Sequence, residues 1–159
     1  MDKSRDTSGI DEFERQFGLL AWTTGRLDML PAQKVQQELV QDMLDWLAHY
    51  TREYFGFQER LMREFWNPEA FKARMHAHMN FRRKLSSLCL DMMRGDPTVA
   101  ERMRALCHEM LEDAQAHDRP FVDFLKETQP PIRLRRKTRH NDPAKVVAQL
   151  FPHLQERAA

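Results

Sequence analysis

The chain predicts an all-α protein: an up-down-up-down four-helix bundle followed by a C-terminal extension with a short helix. Three observations carry this expectation. Apolar residues recur at steps of three and four through four segments, the spacing of one helix face. The connections are short and hold residues that start and stop helices. Five glycines, ten methionines and few β-branched runs suit helices better than strands.

Segment A, about residues 10–28, repeats Phe13, Phe17, Leu20, Thr24 and Leu27. Segment B, about 32–65, reads as one long helix with the stripe Val40, Met43, Leu47, Tyr50, Tyr54, Gln58, Leu61 and Phe65. Asn67-Pro68-Glu69 then supplies a cap, a first-turn proline and an early acid. Segment C, about 68–94, carries Phe71, Arg74, His78, Phe81, Leu85, Leu88 and Met92 and stops at Gly95. Asp96-Pro97 starts segment D by the same device, with Val99, Met103, Leu106, Met110, Asp113 and His117, then Phe121 and Phe124. Pro120 lacks an amide hydrogen and crowds the preceding turn, which predicts a kink or restart.

Residues 1–9 read as a flexible polar N-terminus, 10–126 as the bundle and 127–159 as the extension. Gln129-Pro130-Pro131 breaks the helix. Arg133, Arg135, Arg136, Lys137 and Arg139 form a basic run, read as a solvated linker or a contact to an acidic partner. Nucleic acid is not expected there, since no aromatics interleave. Asn141-Asp142-Pro143 opens a short amphipathic stretch with Val146, Val147, Leu150 and Phe151.

The 159 residues suffice for one domain with a substantial core. With 25 basic and 24 acidic residues the net charge is +1, so the whole molecule has no bias toward nucleic acid or membrane. No apolar run approaches the roughly 20 residues of a membrane span, and no signal peptide is expected. Cys89 and Cys107 sit far apart in helical patterns and read as buried thiols of a cytoplasmic protein.

The buried stripes carry seven unusual residues: Phe17, Tyr54, Gln58, Arg74, His78, Asp113 and Asp118. Their frames resemble those of the bacterial hemerythrins, over about residues 10–126. Gln16-Phe17-x-x-Leu20 is similar to that family's Gln-His-x-x-Leu. Tyr54-Phe55-Gly56-Phe57-Gln58-Glu59-Arg60-Leu61-Met62 follows His-Phe-x-x-Glu-Glu-x-Leu-Met. Arg74-x-x-x-His78-x-x-Phe81 follows His-x-x-x-His-x-x-Phe, and Asp113-x4-Asp118-x-x-Phe121-x-x-Phe124-Leu125 follows the fourth-helix pattern. The resemblance implies a four-helix bundle and seven positions that in the family hold two irons with five histidines and two carboxylates.

Only His78 and Asp118 keep the family's residue type. Phe17 has no donor atom, Arg74 has no free lone pair, and neutral Gln58 is a poor bridging ligand. The sequence therefore predicts no cofactor, no enzymatic activity and no di-iron oxygen binding. In place of the metal it predicts a cluster in which the fork of Arg74 grips Asp113 or Asp118 in bidentate fashion and His78 joins as a neutral donor. Tyr54 and Phe17 would fill the vacated volume.

Alternatives stand beside each residue. Asp118 would cap a helix restarting at Pro120, Asp113 would turn outward in favour of Ala114, and His78 would be an ordinary core histidine. A mononuclear iron or other divalent site on His78, Asp113 and Asp118 is the competing chemistry, disfavoured by the adjacent Arg74. His49, His76 and His108 read as surface residues, and no histidine has a phosphotransfer context. Trp46, Tyr50, Phe55, Phe57 and Trp66 exceed one stripe, which leaves extra core or a partner face, with a homo-oligomer open. The function expected is that of a protein-interaction or regulatory module, with a metal or small-ligand sensor as the alternative.

Overall fold

A computed structural model describes residues 8–29 and 37–132 of the chain. The basic run at 133–139 and the amphipathic stretch after it lie outside these residues. The described residues are all-α: α1 (Ser8–Met29), α2 (Gln37–His49), α3 (Phe55–Phe65), α4 (Pro68–Met93) and α5 (Val99–Thr128). Among them, no helix is long and apolar enough to cross a membrane.

Segment B departs from the single α-helix predicted. A π-helical turn, Tyr50–Tyr54, joins α2 to α3, and the Phe55 amide bonds back to the Tyr50 carbonyl. Such a turn inserts an extra residue and widens the helix, a feature frequent at functional sites. Here it puts Tyr50, Thr51, Tyr54 and Phe55 all in the interior.

The ends of α4 follow the predicted chemistry. The Asn67 side chain accepts from the Ala70 amide at 2.8 Å, with Pro68 in the first turn. At the other end Gly95 has φ 75°, and its amide and that of Asp96 bond to the carbonyls of Met92 (3.1 Å) and Asp91 (3.0 Å). These paired bonds satisfy carbonyls that the helix leaves open.

Asp96 does not cap α5 as Asn67 caps α4. Its carboxylate takes bonds from the amide and hydroxyl of Thr98, closing a turn, and the helix starts at Val99. Nor does Pro120 break α5, which runs to Thr128 with the proline exposed inside it. Gln129, left-handed at φ 45°, ends the helix by donating its amide to Leu125. The N-terminus is also helical earlier than predicted, from Ser8. Gly9 lets Ile132 pack against it, since a Cβ there would collide with the Ile132 side chain.

α5 packs against α1, α2 and α4, and α4 also packs against α2 and α3. The buried side chains form two apolar clusters. One holds Leu20, Leu27, Met43, Leu47, Tyr50, Phe81, Met103 and Met110 among others. The second holds Phe13, Leu61, Met62, Phe121 and Leu125 with their neighbours. Each fully buried side chain of this kind contributes roughly 1.5–3 kcal/mol. Trp46, Tyr50 and Phe55 belong to the first cluster, and Phe57 and Trp66 pack against the second. Trp46, Tyr50 and Phe55 are buried core, whereas Phe57 and Trp66 are part-buried.

Along each helix, residues between the two clusters are polar and buried: Gln16 on α1, Gln58 on α3, Arg74 and His78 on α4, and Asp118 on α5. A polar layer thus crosses the interior. Burying such groups is costly unless they satisfy one another.

Candidate functional site

Arg74 is the centre of the polar layer. Its Nη1 lies 2.8 Å from Asp113 Oδ2 and its Nη2 3.0 Å from Asp118 Oδ1. The guanidinium is therefore shared between two carboxylates and does not close a bidentate pair with either. Asp113 is part-buried at the edge of the layer, whereas Asp118 is buried. Asp118 Oδ1 has no hydrogen bond despite its closeness to Nη2, so that contact is a charge pair off the bonding axis.

Asp118 is thus not a helix cap. It sits in the interior of α5, with Ala114 buried one turn earlier and His117 exposed beside it. Burial pushes its carboxyl up to about 7; Arg74 opposes that shift and Asp113 adds to it.

His78 is fully buried and uses both ring nitrogens. Nε2 faces Arg74 Nη2 at 3.3 Å, and Nδ1 faces Glu59 Oε1 at 2.9 Å. Arginine has only donors, so Nε2 must accept and the ring proton must sit on Nδ1, donating to Glu59. The imidazole is neutral in this arrangement. Burial lowers its pKa, with Arg74 and Arg82 acting in the same direction and Glu59 against. Its acceptor is Glu59, and neither Asp113 nor Asp118 as predicted.

Glu59 also takes a bond from Arg82 Nη1 at 2.9 Å. The two cationic or polar donors hold its carboxyl below the ordinary range, against a burial effect of opposite sign. Arg82 Nη2 then donates 3.1 Å to the carbonyl of Thr51 inside the π turn. A widened turn misaligns the usual helix bonds, and Arg82 satisfies one carbonyl there. Phe55 lies between, stacked on His78 at 3.8 Å with Arg82 5.5 Å from its ring.

Across the layer, Tyr50 donates to the carbonyl of Gln16 at 3.3 Å, and Gln58 Nε2 donates to Gln16 Oε1 at 3.2 Å. Tyr54 stacks edge-on against Tyr50 at 4.9 Å, with the Arg15 guanidinium 5.8 Å from its ring. Gln58 Oε1 and Arg74 Nε are buried without a hydrogen-bond partner among the described residues.

The seven positions are therefore not one cluster. Arg74, His78, Asp113 and Asp118 come together; Tyr54 and Gln58 sit beside them; Phe17 does not enter the layer. Gln16 takes the inward place on α1, and Phe17, part-buried, lines a cavity between α1 and α5. Glu59, Arg82, Gln16 and Tyr50 belong to the site and were missed from the sequence. A signal for two existed: positions 74, 78 and 82 repeat every fourth residue, and Glu59 directly follows Gln58 on segment B.

These residues do not fit an iron pair. The lone pair of His78 Nε2 faces a guanidinium, and both aspartates hold the same cation. Among the described residues, no three His, Cys, Asp or Glu side chains converge in a metal-holding group. His49 is part-buried against Tyr54, whereas His108 lies at the surface, where it pairs with Asp28 at 2.8 Å. Cys107 is a buried free thiol and Cys89 a part-buried one.

Comparison with family models, with curated proteins and with solved structures gives no match to this chain.

Proposed function

We propose that this chain is a hemerythrin-like up-down-up-down four-helix bundle that has given up di-iron oxygen binding and serves as a non-enzymatic protein-interaction or regulatory module. The observation that carries the proposal is Arg74, seated between Asp113 and Asp118. A fixed cation there does for buried carboxylates what a metal would otherwise do.

The order in which the helices meet the two apolar clusters supports the topology. α1 passes from Phe13 to Leu20, the α2–α3 rod from Tyr50 to Leu61, α4 from Phe71 to Phe81, and α5 from Met110 to Phe121. The direction alternates each time.

Surface chemistry supports the interaction role. Met79, Leu90 and Met93 are exposed and fall on one stripe of α4, at the spacing of a single helix face. The basic run Arg133 to Arg139 adds a charged element in sequence. Free thiols and the absence of a membrane-length apolar helix among the described residues accord with a cytoplasmic setting.

Two measurements test the proposal. Protein purified without chelator should be colourless and free of stoichiometric iron, manganese or zinc; oxo-to-iron charge-transfer bands would sink the first half. For the second, proteins captured from the native cell by the full chain should be lost with Leu90→Glu/Met93→Glu or with truncation after residue 132. Capture unchanged by both changes would remove α4 and the extension as binding elements.

A further inference from the structure

Two stripes run along α4. The inner one, Arg74, His78, Phe81, Leu85 and Leu88, is buried. A second lies two residues out of step with it: Lys72, His76, Met79, Arg83, Ser86, Leu90 and Met93, every one exposed. Its steps alternate strictly between four and three, the heptad spacing of a coiled-coil seam. A shift of two residues is about 200° of rotation, which puts this stripe on the side of α4 facing away from the core. Taking the chain as an interaction module, we propose that this outer seam docks an acidic amphipathic helix of a partner protein. Apolar side chains of that helix would meet Met79, Leu90 and Met93, and its carboxylates Lys72 and Arg83.

Spacing selects a helix as the occupant. The seam is a single line about 30 Å long on a rod, the surface against which a second helix keeps contact along its length. Polar positions within such a seam lower its stability but fix the register of the pair.

Charge selects which helix. Lys72 and Arg83 make no ion pair among the described residues. From Lys72 to Met93 the seam carries no carboxylate; Glu69 precedes it in the first turn. Asp91, next to Leu90 in sequence, turns about 100° away and pairs with Arg102. Two copies of the seam would gather cations with no acid between them, and the chain's own extension brings Arg133 to Arg139, of the same sign. A membrane surface prefers a broad apolar face with aromatic residues, whereas here Arg83 and Ser86 separate Met79 from Leu90 and no ring is present. An acidic helix matches both the line and its charge.

The test is selection of helix-forming peptides from a random library on the full chain, then fluorescence anisotropy titration of the most enriched one. Enriched peptides should be net acidic, with apolar residues at steps of three and four. Binding should weaken about tenfold or more in Lys72→Glu/Arg83→Glu and in Leu90→Glu/Met93→Glu, and survive in Lys72→Arg/Arg83→Lys. All these positions are exposed, so the substitutions spare the core. No enrichment, peptides without an acidic bias, or binding unchanged by both Glu pairs would overturn the inference. In the last case, loss of binding on truncation after residue 132 would leave the interaction module standing on its extension. Saturable binding to phosphatidylglycerol vesicles that the Glu pairs abolish, or a dimer that they dissolve, would seat lipid or a second copy on the seam instead and overturn it equally.

Discussion

Arg74 donates to Nε2 of His78 across 3.3 Å, and that one contact fixes where the imidazole proton resides. Protonating the second nitrogen would point a hydrogen at the guanidinium and bring two cations together in a buried space. The arrangement makes His78 a spacer between Arg74 and Glu59, with no lone pair left for other work.

Imidazole 15N spectra check this directly. His78 should appear as the neutral Nδ1–H form at pH 7 and remain so below pH 6.5, since burial lowers its pKa. A protonated His78 at pH 6.5 would contradict the assignment.

Replacing Arg74 with leucine leaves two carboxylates without their cation. Breaking a buried pair in this way typically costs about 3–5 kcal/mol. Urea unfolding of Arg74→Leu should show a loss of that size, largely recovered when Asp113→Asn and Asp118→Asn are added. A change near zero would mean that the ion pairs carry no net stability.

Asp118 gives the cluster its own pH dependence. Its folded-state carboxyl is raised from 3.8 to about 7, so the folded chain holds a proton that the unfolded chain releases. The contribution to stability is full below about 3.8 and disappears as pH rises through about 7. At about 1.4 kcal/mol per pKa unit it amounts to roughly 4 kcal/mol at most. Glu59 and His78 have lowered pKa values and act in the opposite sense, losing stability as pH falls. The difference between wild type and Asp118→Asn isolates the aspartate: the variant should gain relative stability between pH 4 and pH 8. A flat difference across that window would refute the shift.

Pro120 sits exposed inside a continuous helix, where it removes one amide donor and crowds the preceding turn. Proline costs about 3 kcal/mol relative to alanine at such positions. Pro120→Ala should therefore stabilise by about 1–3 kcal/mol, seen as a higher urea midpoint with unchanged m-value. Destabilisation would show that the proline shapes the α5 packing.

Much of the helix architecture was legible in the chain, because burial of an apolar stripe at helical spacing is a local property. Asn67-Pro68 and Gly95 marked both ends of α4 for the same reason: caps are written in a few adjacent residues. Arg74 and His78, four apart on one stripe, announced a buried polar pair. What those side chains bonded was not local. Gly9 accommodating Ile132, Arg82 reaching the Thr51 carbonyl, and Glu59 taking His78 from the aspartates each depend on distances between helices. The π turn was equally hidden, since one extra residue in a helix leaves the apolar spacing almost intact. Sequence thus determined which residues had to be buried and which ends had to be capped. Tertiary structure decided how the buried charges divided their partners, because desolvation leaves them no choice but the groups that packing brings within reach.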